Sequence, residues 1–160
     1  MIREANLDDY DAIWEIFEQV VKDGDTFVFD PETPKEDLAK YWLSPGLNTY
    51  VFENEGKIIG TYVIKANQIG LGSHIANGSY MVHQEGRGKG VGKRLCAHSL
   101  SEAERLGFKA MQFNIVVSTN TAAVSLWEKM GFAIIGTVPE AFRHLKLGLV
   151  DGHVMYRKLG

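Results

Sequence analysis

The chain has 160 residues, 45% of them hydrophobic and 23% charged, and its 17 basic against 20 acidic side chains leave a net charge of −3 at pH 7. That size predicts a single domain, residues 1–160, with a substantial core, and the charge excludes a global field that would gather nucleic acid or an anionic membrane. One cysteine, Cys96, excludes an internal disulfide and a cysteine-based zinc cluster; with no apolar run in "MIREANLDDYD" and no segment near the ~18 apolar residues of a membrane span, the expectation is a cytoplasmic protein without metal. In chain order, "MIREA" reads as a strand. "LDDYDAIWEIFEQVVKDG" reads as a helix with Tyr10, Ile13, Trp14, Phe17 and Val21 on one face. "TPKEDLAKYW" carries a helix start, with Thr33 as cap, Pro34 in the first turn and Glu36 completing a capping box. "TYVFENEGKIIGTYVIKA" is two strands joined at Asn54–Gly56, and "HIANGSYMVH" is another strand. A helix follows to about Leu106, stopped by Gly107. In "KAMQFNIVV", Met111, Phe113, Ile115 and Val117 alternate with Gln112, Asn114 and Val116, as in a strand. "NTAAVSLWEKMG" is a helix capped by Asn120 and ended by Gly131, and "FAIIGTV" and "DGHVMYRKL" are closing strands. Helices that follow individual strands predict a mixed α/β fold.

The stretch "HQEGRGKGVGKRL" packs Gly86, Gly88, Gly90 and Gly92 into seven residues, interleaved with Arg87 and Lys89 and followed by Lys93 and Arg94. It fits neither a dinucleotide fingerprint, whose sixth position falls on Val91 or Lys93, nor a P-loop, whose Lys would precede Ser or Thr. It does satisfy Q/R-x-x-G-x-G/A through Arg87, Gly90 and Gly92. A strand ending near His83 and a helix beginning near Val91 put unpaired N–H groups and the positive end of the helix dipole in one place, which is a site for a pyrophosphate. The competing reading is a solvated turn before an ordinary helix.

With "RGKGVG" at this point and "NTAAVSLWEKMGF" from Asn120 to Phe132 downstream, the sequence resembles the GCN5-related N-acetyltransferase (GNAT) family along nearly its whole length. The resemblance implies a twisted mixed sheet of about seven strands, splayed between the fourth and fifth, with helices on both faces. It also implies acetyl-CoA in the splay and its diphosphate on the glycine loop. Carried over by position, the backbone of Met81, Val82 and His83 pairs with the pantetheine arm, and N–H groups of Arg87, Gly88, Lys89, Gly90, Val91, Gly92 and Lys93 hold the diphosphate. Asn120 and Trp127 contact the cofactor. A narrower resemblance joins "GSHIANGSYMV" and "FNIVVSTNTAAVSLWEKMGF" to fungal acetyltransferases that act on proline analogues such as azetidine-2-carboxylate, and more distantly to bacterial phosphinothricin-type enzymes. In the fungal group, asparagines matching Asn77 and Asn114 lie at the reaction site. Family members are often dimers, so a homodimer is carried as an expectation.

Acetyl transfer to an amine calls for a neutral amine, donors for the developing oxyanion and a proton for the departing thiolate. Many family members supply that proton from a Tyr where this chain has Trp127, whose indole N–H is no acid near neutral pH. Many place a Glu on the strand before the glycine loop, and "SHIANGSYMVH" holds no carboxylate. On the narrower resemblance, Asn77 and Asn114 are read as catalytic by orientation, with backbone pairing at the sheet splay as the competing reading for Asn114. Phe27, His74, Asn77 and Asn114 are read as substrate contacts, with a hydrogen-bonded surface role as the competing reading for His74. Cys96 and His153 read as packing residues. The expected function is acetyl-CoA-dependent N-acetylation of a small amino acid or analogue. The alternatives are acetylation of a protein N-terminus or lysine, and a non-catalytic acyl-CoA sensor.

Overall fold

The turn between the second and third strands shows how locally the sheet is specified. Glu55 and Gly56 both adopt positive φ, 50° and 77°, the geometry whose twist suits a two-residue hairpin. The computed structural model describes residues 1–160. Its strands are β1 (Ile2–Glu4), β2 (Asn48–Asn54), β3 (Lys57–Ala66), β4 (Ile75–Val82), β5 (Ala110–Val117), β6 (Ala133–His144) and β7 (Gly148–Lys158). Its helices are α1 (Tyr10–Asp23), α2 (Leu38–Trp42), α3 (Val91–Arg105) and α4 (Thr121–Lys129). The seven strands form one sheet in the order β1-β2-β3-β4-β5-β7-β6. Every pairing is antiparallel except β4 with β5. No helix is long and apolar enough to cross a membrane.

Period-two alternation on the central strands covers both sheet faces. Val51, Val63 and Met81 pack with Ile13, Ile16, Phe17 and Val21 of α1 and with Leu38 and Trp42 of α2. Tyr50, Phe52, Tyr62 and Ile64 turn the other way and meet Val91, Leu95, Cys96 and Leu100 of α3. Complete burial of a side chain such as Phe17 contributes about 2–3 kcal/mol. The Trp42 indole N–H donates to the Thr61 hydroxyl at 2.9 Å, so its one polar atom enters the core paired. In the 3₁₀ turn Leu7–Asp9 that leads into α1, Asn6 and Asp9 form a capping box, and Arg3 of β1 grips Asp9 with both guanidinium ends at 2.9 Å.

Two expectations are corrected. Thr33 does not cap a helix, because its hydroxyl donates to the Asp30 carbonyl. The chain instead passes through a single 3₁₀ turn at Lys35–Asp37 before α2, and Pro34 stands at the cap position without a side-chain bond. In β5 the alternation breaks after Phe113. Phe113 pairs with Met155 and Val116 with His153, so Asn114 and Ile115 together face one residue of β7. This is a bulge, and it returns Val116 to the core.

The feature that positions the site is the seam between β4 and β5. Their parallel pairing covers only Ile75–Asn77 against Ala110–Gln112. Beyond it the strands run on without partnering each other, and a wedge-shaped gap opens toward the ends of both.

Candidate active site

The glycine loop occupies one mouth of this gap. Gly88 and Gly90 have φ of 73° and 76°, and a Cβ at either would meet nothing within 4 Å. Their surroundings are open, so backbone conformation is what favours glycine here. Gly90 caps α3 without any side-chain bond. No backbone carbonyl accepts from the N–H of Gly88, Gly90, Val91, Gly92 or Lys93; the first helical bond runs from Arg94 to Gly90 at 3.1 Å. Clustered free N–H groups at the start of a 15-residue helix are a cradle for a phosphate or diphosphate. The residues present therefore fit the diphosphate of acetyl-CoA. Arg87 and Lys89 are less committed to that role. The Arg87 N–H already donates to Gln84 at 3.3 Å and that of Lys89 to Gly86 at 3.4 Å, and the Arg87 side chain reaches Asp23 at 3.4 Å.

Strand geometry sorts the expected pantetheine contacts. In an antiparallel ladder the N–H and C=O of one residue point to the same side, and the side alternates along the strand. His83 donates its N–H to Ile59 at 2.9 Å and accepts from Gly86 at 2.8 Å, so both its backbone groups are used within the protein. By alternation Met81 also faces β3. Val82 and Tyr80 face the gap, where β5 no longer pairs. Of Met81, Val82 and His83, only Val82 presents free backbone to an added strand, and Tyr80 joins it. His83 is buried for another purpose. Its Nδ1 accepts from the Glu85 N–H, so its Nε2–H donates to Glu15 of α1 at 3.1 Å, which ties the approach to the glycine loop onto α1.

The gap widens into a cleft of about 320 Å³ lined by Phe27, Asn77, Asn114, Asn120 and Trp127 among others. Gln112 organises two of these amides. Its backbone carbonyl accepts from the Asn77 NH₂ at 3.0 Å, and its side-chain NH₂ donates to the Asn114 carbonyl oxygen at 3.2 Å. Asn77 is left with a free acceptor and Asn114 with free donors. The Asn120 carbonyl oxygen accepts from the Ala123 N–H at 3.3 Å, as expected of a cap, so its NH₂ is what remains for a ligand. Trp127 packs against Tyr80 and Phe113 at centroid distances of 5.0 and 4.9 Å and forms the cleft floor. His74 is exposed, precedes β4 and is absent from the lining, its carbonyl accepting from Lys109. The expectation that it contacts substrate is corrected accordingly.

Among the lining residues Tyr80 alone carries an ionisable side chain. Its hydroxyl turns away to Ser99 at 2.6 Å and Met111 at 3.3 Å, and burial raises its pKa far above the usual phenol range. Cys96 is buried too, and burial pushes its thiol up to about 12, which removes it as a nucleophile. The cleft therefore contains no side chain poised to exchange a proton near neutral pH. Sequence reasoning did not single out Gln112, Ser79 or Thr26 as site residues. A polar residue on a strand carries no signal of facing a seam until the pairing is known.

A model of the acetyltransferase (GNAT) family matches residues 10–132. N-acetyltransferase aca1 of Schizosaccharomyces pombe is 35% identical over 113 residues, 71% of this chain and 51% of that protein; the chain thus spans about half the length of this curated relative. A GCN5-related N-acetyltransferase from Kribbella flavida superposes with a TM-score of 0.94 at 42% identity, covering 99% of this chain and 97% of that one. The yncA protein of Salmonella typhimurium, solved with its cofactor acetyl-CoA, superposes at 0.88 with 25% identity over 100% of this chain and 94% of that one.

Proposed function

The chain belongs to the acetyltransferase (GNAT) family, and from that premise we propose that it is an acetyl-CoA-dependent N-acetyltransferase acting on the amine of a small amino acid or analogue. The observation that carries this reading is the amide pair organised by Gln112 at a mostly apolar cleft. Acetyl-CoA, as co-substrate, would supply the acetyl group as a thioester: the amine lone pair forms the new N–C bond, the C–S bond breaks with its electron pair going to the coenzyme A sulfur, and the proton lost by the amine passes through water to that thiolate.

The protein's residues align this transfer. Asn77 accepts a hydrogen bond from the incoming amine and so directs its lone pair. Asn114 donates to a carbonyl oxygen on the other side. The free N–H of Tyr80 or Val82 stabilises charge building on the thioester oxygen. Gly88, Gly90, Val91, Gly92 and Lys93 anchor the diphosphate by backbone, and Asn120 and Trp127 flank the pantetheine. Phe27 closes the acceptor side. Neither amide moves a proton, so rate comes from orientation and electrostatics.

The test is turnover of acetyl-CoA with azetidine-2-carboxylate, proline, methionine sulfoximine and phosphinothricin beside peptides with free N-termini or lysines. Asn77→Ala should lower kcat/KM by one to three orders of magnitude, about 1.4–4 kcal/mol, while acetyl-CoA still binds. Acetylation of peptides and of no small acid would overturn the acceptor assignment. Binding without turnover of any amine would point to a sensor.

A further inference from the structure

An acceptor bearing a carboxylate finds no cation in the reaction cleft: none of its lining residues is Lys or Arg. The nearest built alternative is a second cavity of about 360 Å³ that shares Phe27, Val28 and Phe29 with the cleft. The Phe27 and Phe29 rings stack at 6.2 Å and 10°, making a flat apolar wall common to both spaces. On the opposite wall of the second cavity stands Arg143 of β6.

Arg143 is exposed, and three observations single it out among the surface cations as a ligand group. From Phe142 to His144 the register with β7 is regular, Arg143 lines the cavity together with Ala141 and Leu145, and Leu145 lies against Gly24 of the α1 terminus. The segment that carries Arg143 is held in place. The Leu145 N–H donates to the Gly24 carbonyl at 3.1 Å, and the His144 ring accepts from the N–H groups of Lys146 and Leu147 at 3.1 and 3.2 Å. No carboxylate neutralises Arg143. It forms no ion pair, and Asp30, which lines the same cavity, accepts instead from the Glu32 N–H at 2.8 Å.

We propose that Arg143 binds the carboxylate of the acceptor, and that the acceptor is consequently an ω-amino acid whose amine and carboxylate are separated by an apolar chain lying along Phe27 and Phe29. The inference rests on the proposed reading of the cleft as the amine site. The spacing follows from the register. Asn114 lies in the bulge opposite Val154, whereas Arg143 pairs with Leu149. Five residues of strand span about 17 Å, and the two strand spacings from β5 across β7 to β6 add about 10 Å at right angles, so the two backbones stand roughly 19 Å apart and the side chains, extended toward each other, leave on the order of 10 Å between their polar groups. An α-amino acid, with its two charged groups on one carbon, cannot bridge that distance.

The experiment measures kcat/KM for β-alanine, γ-aminobutyrate and ε-aminocaproate, with hexylamine, cadaverine and azetidine-2-carboxylate alongside, in the full chain with acetyl-CoA. Efficiency should climb with chain length along the ω-amino acid series, and ε-aminocaproate should exceed hexylamine. Arg143→Gln should cut that preference tenfold or more, chiefly through KM. Arg143→Lys should restore part of it, and Arg143→Glu should turn the preference toward cadaverine. If azetidine-2-carboxylate is the best acceptor and Arg143→Gln leaves the preference unmoved, the inference fails while the proposed function stands. If only peptides are acetylated, both fail.

Discussion

The contact between Gly24 and Leu145 offers a sharp test of how the acceptor side is closed. Gly24 ends α1 with φ of 60°, and a Cβ built there would lie 2.2 Å from both Cγ and Cδ1 of Leu145. Gly24→Ala therefore carries two separable costs. Left-handed backbone at a residue with a Cβ costs about 1–2 kcal/mol, and forcing the Leu145 side chain off its rotamer adds about 0.5–1.5 kcal/mol. Leu145 is 58% exposed, so Leu145→Ala alone should cost under about 1 kcal/mol. In the double variant the collision is gone and only the backbone strain of about 1–2 kcal/mol survives. Urea denaturation of the four proteins gives the coupling as a double-mutant cycle, with the double variant more stable than Gly24→Ala. Gly24→Ala should also raise the acceptor KM more than the acetyl-CoA KM, because Gly24 and Leu145 both line the second cavity. Equal stability of Gly24→Ala with and without Leu145 would refute the collision.

Gly90→Val should weaken acetyl-CoA binding far more than Lys89→Ala, since one blocks a backbone approach and the other removes a single charge; equal losses by calorimetry would count against a backbone cradle. Trp127→Tyr should not raise kcat strongly, and a hundredfold gain, about 2.7 kcal/mol of barrier, would mean that a missing acid limits the rate. With no side chain in the cleft titrating near neutrality, kcat/KM should rise with pH until the acceptor amine loses its own proton, and a break that stays fixed when the acceptor is changed would reveal a base in the protein. The Arg3 guanidinium holds the Asp9 carboxyl below its ordinary range. Its folded pKa being depressed, that stability is present above the unfolded value near 3.9 and is lost as pH falls through the folded one; Asp9→Asn should flatten this limb of the stability curve.

The elements were legible where the code is local. Glu55–Gly56 announces a hairpin, Gly24 and Gly107 end helices, and Asn120 begins one. The glycine loop was legible as a backbone feature for the same reason, since Gly88 and Gly90 adopt positive φ that favours glycine. Register was not. The expectation for Met81 and His83 treated three successive residues as equivalent, although alternation hands their backbone to β3 and leaves Val82 and Tyr80 for the gap. The bulge at Asn114–Ile115 has no composition signal, and the role of Gln112 depends on which strands face each other across the seam. Thr33 failed for a different reason: the preceding Asp30 carbonyl is a closer partner for its hydroxyl than any helical N–H.

The short ladder between β4 and β5 also governs how the protein holds together. Three residue pairs are all the sheet bonding that joins the strands before the glycine loop to those after it, so beyond this hinge the two halves of the sheet are joined by the apolar core they share through α3. Exchange of amide hydrogens with solvent should reach β5 beyond Gln112 through partial opening of this hinge, before the protein unfolds as a whole. A ligand lying in the gap as an added strand bridges the halves. At a hundred times its Kd such a ligand would strengthen their cohesion by about 2.7 kcal/mol, and would thereby become part of the fold.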